Sequence, residues 1–184
     1  GMETSFAQIA NDALGIPVSR IRVVHGDTAL TPFSSGTYAS RATVMSGGAI
    51  STACKELLPR IQSIAGYLMG VDPQTVALVE GFAVAGEKSI PLSQVGGAWY
   101  LTPQDLPENV HLGGLEVSRA YKPRVDTGTF TYATHAVVVA VDTQTGEVEI
   151  LDYVVVEDCG TKGNPMIGGG QTLGGIAQGI GTAM

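Results

Sequence analysis

Apolar residues at Phe6, Ile9, Ala10, Ala13 and Leu14 recur at helical spacing, which predicts a helix over Glu3–Leu14 stopping at Gly15, with Pro17 closing the unit. Ile21, Val23 and Val24 read as a short strand that ends in the turn residues His25, Gly26 and Asp27. A longer stripe (Ile50, Ala53, Leu57, Ile61, Ile64, Leu68) predicts a second helix from about Ser40 to about Met69. Pro59 lies inside that stripe and is expected to kink or split the helix near Leu58; Gly70 and Asp72-Pro73 should end it.

Val76–Val79 and Phe82–Val84, joined by Glu80-Gly81, fit a hairpin, and Leu92–Tyr100 fits a short helix after Pro91. Leu101 to Gly114 reads as loop, and alternation over Leu115–Tyr121 suggests a strand. The clearest β signal is Thr134–Val141 and Glu147–Val156 around the loop from Asp142 to Gly146. A Gly-rich loop from Cys159 to Gly170 follows. Leu173, Ile176, Ala177, Ile180 and Met184 then predict a helix from Gln171 onward. No repeat, linker or charge run divides the chain. The expected class is α+β: a mixed β-sheet packed against two or three helices in a single compact domain over residues 1–184.

The 184 residues carry 10 Lys and Arg against 17 Asp and Glu, a formal charge of -7 that argues against nucleic acid or an anionic membrane surface as a partner. With 44% hydrophobic and only 15% charged residues, the chain is globular in composition. Its 25 glycines are about twice the usual ~7% share and follow no collagen period, so many are expected where backbone approaches something closely. Two cysteines, Cys54 and Cys159, are too few for a disulfide scaffold or for an iron–sulfur cluster, which asks for about four. No secretory leader is visible between Gly1 and Asn11, and no apolar run approaches the ~18 residues of a membrane span. A cytoplasmic protein is expected.

Chemistry concentrates in two Gly-rich segments that precede helices. In the first, Gly36, Thr37, Tyr38, Ala39, Ser40 and Arg41 lead into the second helix. Ser40 is a suitable N-cap, so first-turn amides and the helix dipole, with Arg41 beside them, would suit phosphate or another anion. An ordinary capped helix fits the same residues. In the second, Gly168, Gly169 and Gly170 remove every side chain ahead of Gln171, whose amide carries both a donor and an acceptor for a pterin or purine edge. Close packing against another backbone would explain those glycines, and Gly174, Gly175, Gly179 and Gly181, equally well. No Walker or dinucleotide fingerprint is present. His25, His111 and His135 are too dispersed for a metal set, Cys159 fits either a buried inert thiol or, by the resemblance given below, a place near a bound cofactor, and Trp99 and the tyrosines other than Tyr38 belong to packing.

Six stretches in order resemble the molybdenum-cofactor subunit of the xanthine dehydrogenase, aldehyde oxidase and carbon monoxide dehydrogenase family. They are Gly1–Ile9, Val23–Asp27, Gly36–Arg41, Asp158–Gly160, Asn164–Ile167 and Gly170–Gly181, which together run across nearly the whole chain. The resemblance implies a molybdopterin-binding oxidoreductase that uses water as oxygen source and acts on aldehydes, N-heterocycles or CO. It implies molybdenum–molybdopterin, either as such or as its cytosine dinucleotide, held by hydrogen bonds with no side-chain ligand to the metal. Residues Gly36 to Arg41 would line the cofactor, and Gly170 and Gln171 would meet its pterin or dithiolene end. Partners would be the remaining molybdenum-subunit segments and iron–sulfur and flavin subunits.

The residues here would be a partial domain, without the family's upstream half. The Gln that opens the family's first loop is not among them, and Gly163 and Gly169 replace an apolar and an acidic residue. The family's catalytic Glu follows the last helix in a Gly-Glu segment, so no residue here is assigned a catalytic role. Gly86-Glu87 and Gly146-Glu147 precede Asp158–Gly160 and so do not correspond to it. The isolated chain is accordingly expected to be inactive, to retain little cofactor and to self-associate through surface that a partner would cover. A non-catalytic pterin- or nucleotide-binding module, or a structural remnant, are the alternatives.

Overall fold

The computed structural model describes residues 1–110, 113–124 and 130–184. Two compact units emerge, Gly1–Gly128 and Thr129–Met184. The expected α+β class is what the structure has. Among the described residues the strands form two antiparallel sheets, one of three strands and one of two, in place of one mixed sheet.

In the first unit, α1 (Met2–Leu14) ends at Gly15, which adopts the left-handed conformation with φ 59°. A Cβ there would stand 2.2 Å from the carbonyl oxygen of Leu78, so only glycine lets the helix end meet the first strand. The long helix α2 (Gly48–Met69) is preceded by a π-helical turn, Thr43–Gly47. It runs unbroken through Pro59, where the sequence suggested a split. Pro59 and Lys55 are both exposed, so the carbonyl that the proline leaves without a donor can turn to water. Ile61, Ile64, Ala65 and Met69 bury the following turns, and their packing holds the helix together.

Strands β1 (Ala77–Val79), β2 (Phe82–Ala85) and β3 (Lys88–Pro91) form a meander, with Val79 opposite Phe82 and Ala85 opposite Lys88. The predicted Glu80-Gly81 turn is present, both residues having positive φ (50° and 83°), as a tight hairpin turn requires. The third strand was not foreseen. The short helix α3 (Leu92–Tyr100) follows as expected. Ile64, Ala65, Val76, Ala83 and Val95 form the driest part of the core.

Two expected strands are absent. Residues 21–24 take no regular structure and pair with no strand among the described residues. Segment 115–121 does not form one either, because its neighbourhood is used differently. Arg60, 9% exposed, donates from Nη1 to the carbonyls of Gly113, Gly114 (3.2 Å) and Glu116 (3.1 Å). Glu56 pairs with both Arg60 and Arg119. A side chain thus takes the Glu116 carbonyl and the two carbonyls just before the segment.

In the second unit, β4 (Tyr132–Val141) and β5 (Val148–Asp158) form the predicted long hairpin, with a register shift between Val138 and Val139. Its loop is held by Asp142, whose carboxylate accepts from the amides of Gln144 and Thr145. Helix α4 (Pro165–Ala183) completes the unit and has no buried residue.

Candidate functional site

The first Gly-rich segment closes on itself. Gly36 has φ 89°, and the two non-glycine residues Ala39 and Ser40 follow in the left-handed region at 52° and 53°. This overturns Ser40 as N-cap: a capping side chain needs extended backbone to reach back to the first amides, and none caps this helix. Helical hydrogen bonding instead begins with the amide of Met45 donating to the carbonyl of Arg41, 2.9 Å away. Arg41 folds over Tyr38, with its guanidinium carbon 4.8 Å from the ring centroid and Nη1 donating to the phenol oxygen. The hydrogen bond to Ser35 and the positive charge of Arg41 lower the Tyr38 pKa below the usual value.

The second segment is also arranged differently from the expectation. Helix α4 does not start at Gln171; it starts at Pro165 and is capped by Asn164, whose side chain accepts from the amide of Ile167 at 3.1 Å. Asn followed by Pro at the first helical position is a strong start signal that outweighs three helix-weakening glycines. Gly168, Gly169 and Gly170 are therefore helical, the Gly168 amide donating to the Asn164 carbonyl at 2.9 Å. Gln171 projects from the second turn, exposed.

Among the described residues no neighbouring backbone accounts for these glycines. A Cβ built on Gly169, Gly170, Gly174, Gly175, Gly179 or Gly181 would meet nothing within 4 Å, and one on Gly168 would just touch Lys162. The bare face of α4 is open.

A cleft of about 480 Å³ lies between the end of β5 and the first turns of α4. Gly168 and Gly169 form one wall, and Glu157, Cys159, Lys162 and Thr172 are among the other lining residues, with Val155, Val156 and Leu173 supplying apolar surface. Gly170 and Gln171 are not among its lining residues. The Thr172 hydroxyl donates to the Glu157 carboxylate. Asp158 makes a local turn by accepting from the amide of Gly160 at 2.9 Å. Cys159 is exposed, unlike Cys54, whose thiol pKa is raised by burial. Glu157, Lys162 and Thr172 escaped the sequence reading because nothing in the spacing marks a strand end and a helix turn as neighbours.

His25 pairs with Glu3 at 2.9 Å, and His135 Nδ1 lies 3.0 Å from the Tyr153 hydroxyl; His111 falls outside the described residues. Among the described residues no group of three or more His, Cys, Asp or Glu could hold a metal ion. Nor is any helix among them long and apolar enough to cross a membrane. Glu87 and Glu147 lie at hairpin turns, as the sequence suggested for Glu147.

A family model described as the molybdopterin cofactor-binding domain matches residues 1–184. The carbon monoxide dehydrogenase large chain of Hydrogenophaga pseudoflava is 35% identical over 185 residues, which cover 100% of this chain and 22% of that one. The nicotine 6-hydroxylase large subunit of Paenarthrobacter nicotinovorans is 34% identical, again over 100% of this chain and 22% of its own. Among solved structures, quinoline 2-oxidoreductase from Pseudomonas putida 86 superposes with a TM-score of 0.82 at 34% identity, covering 98% of this chain and 23% of that one. The chain therefore spans less than a quarter of the length of these relatives.

Proposed function

Because the chain belongs to the molybdopterin cofactor-binding domain family, in the xanthine dehydrogenase and carbon monoxide dehydrogenase group, we propose that it is the cofactor-holding portion of a molybdenum hydroxylase. The reaction in this reading is oxidation of CO, an aldehyde or an N-heterocycle with water as oxygen source. The observation that carries it is the family match across all of residues 1–184. The open glycine face of α4 adds a physical reason. Each glycine costs about 0.5–1 kcal/mol of helix stability relative to Ala, and no packing contact among the described residues requires Gly169 or Gly170. A ligand laid against bare backbone would.

When bound, the molybdenum–pterin group supplies the two-electron oxidation chemistry, and this chain's residues hold and orient it. Gln171, exposed beside the glycine wall, offers an amide donor and acceptor to the pterin or dithiolene end. Gly36 to Arg41 offer backbone amides and a guanidinium to the phosphate, whether the cofactor is molybdopterin or its cytosine dinucleotide. Arg41 spends one N–H on Tyr38 and keeps four, enough for a charge-assisted contact. The activity belongs to an assembly with the rest of the molybdenum subunit and with iron–sulfur and flavin subunits in the cytoplasm. Exposed apolar side chains such as Phe33 (98%) and Met166 (81%) support such covered surfaces.

The test is Gln171→Ala in the assembled enzyme. Pterin and molybdenum content per subunit should fall several-fold, roughly the loss of one buried hydrogen bond. Unchanged content and turnover would refute the role. The isolated chain should hold little cofactor, and tight stoichiometric molybdopterin in it would overturn that part of the reading.

A further inference from the structure

Between the Gly36–Arg41 loop and α2 the backbone makes the π-helical turn Thr43–Gly47. Such a turn carries one residue more than the α register needs, so its surroundings have to hold it. Two side chains grip its end. Cδ1 of Ile9, from α1, lies 2.9 Å from where a Cβ on Gly47 would stand. The Tyr121 ring lies closer still to Gly48: a Cβ there would be 2.5 Å from Cγ and Cδ1 and 2.8 Å from Cε1. Those ring atoms cannot swing aside as a flexible chain end can, so glycine at 48 is what lets the ring sit on the helix backbone.

Tyr121 is itself tied down. It ends a segment that meets α2 at successively earlier positions. Arg60 donates to the carbonyls of Gly113, Gly114 and Glu116, Glu56 pairs with Arg119, and Tyr121 covers Gly48. The segment is thus a strap whose last contact falls where the π turn passes into α2. On the other side of the turn, the Met45 amide donates to the Arg41 carbonyl at 2.9 Å, which couples the turn to the loop. Relaxing the turn by one residue into the α register would rotate the chain before it by about 100° around the helix axis. Arg41 would then face elsewhere.

We infer that segment 113–121 is a latch: by seating Tyr121 on Gly48 it holds the π turn, and so sets the direction in which the Gly36–Arg41 loop faces. Tyr121 is a positioning residue that acts through the turn. The latch stands on contacts within the first unit, whereas its consequence for cofactor retention rests on the reading that this loop meets the cofactor.

The experiment is amide hydrogen exchange by mass spectrometry on the assembled, cofactor-loaded enzyme, with the rate of molybdenum release measured alongside. Peptides covering 36–48 report the latch, and peptides covering 61–69 report any general loosening of α2. Tyr121→Ala should speed exchange over 36–48 about 10-fold, through lost packing of a partly buried aromatic ring, and leave 61–69 at the wild-type rate. Molybdenum release should rise several-fold. Tyr121→Phe keeps the ring and should match wild type. Gly48→Ala would protect an open helix, because Ala is the better helix former. Here it should speed exchange over 36–48, since its methyl unseats the ring. Added to Tyr121→Ala it should cost nothing further, the non-additivity of two residues in one contact. Unchanged exchange over 36–48 in Tyr121→Ala, an equal rise over 61–69, or slower exchange in Gly48→Ala would overturn the latch. Faster exchange over 36–48 with molybdenum release unchanged would leave the latch standing and refute the reading that this loop holds the cofactor.

Discussion

Glu56 stands between two guanidiniums, one buried and one at the surface, so Glu56→Gln tests how segment 113–119 is pinned to α2. The buried partner, Arg60, is 9% exposed and spreads its remaining donors over three loop carbonyls. Its Nε is buried without a partner, so the side chain depends on the contacts at its tip. Glutamine keeps an acceptor for Arg60 but loses the charge. The hydrogen bond from the guanidinium persists, so the loss is the attraction between opposite charges in a largely buried pair, on the order of 1 kcal/mol. The Arg119 side chain is 45% exposed, and its pair with Glu56 is worth at most about 1 kcal/mol. Together the substitution should cost about 2 kcal/mol. At about 2–4 °C per kcal/mol for a chain of this size, the unfolding midpoint of the first unit should drop by roughly 4–8 °C in calorimetry. Salt separates the two contributions. At 1 M, where the screening length is about 3 Å, the Arg119 part should vanish while the Arg60 part persists. A drop below about 1 °C, or one abolished by salt, would show that the loop carbonyls alone secure Arg60.

Two further outcomes follow from the same structure. Gly169→Ala and Gly170→Ala should each stabilise the isolated second unit by up to about 1 kcal/mol, since an added methyl has open space in a helix, yet each should lower cofactor content in the assembled enzyme. Stabilisation without cofactor loss would mean that nothing lies against that face. The isolated chain, with Val137, Val138, Val139, Leu151, Val154 and Val156 exposed along its hairpin, should self-associate, and a strictly monomeric species in light scattering at high concentration would contradict this.

Local patterns were legible where local physics decides. The α1 periodicity with Gly15 behind it, the stripe of α2 and the Glu80-Gly81 turn depend on spacing and on which residues tolerate positive φ, and the structure has all of them. The Asn164-Pro165 start of α4 was equally local, but the glycine run drew the boundary to Gln171; a cap and a preset φ outweighed it. What the sequence could not contain was the choice of partners across distance. Alternation in 115–121 looks like a strand until Arg60, more than fifty residues earlier, takes the carbonyl of Glu116 and those of Gly113 and Gly114 just before it. Ser40 looks like a cap until the backbone at Ala39 and Ser40 turns left-handed. The cleft is the same case: Glu157 and Thr172 are unremarkable residues fifteen positions apart, and they become a fixed carboxylate because α4 folds back beside the end of β5. Composition and period act within a turn or two of chain, whereas a site depends on which distant backbone groups find each other once water is excluded.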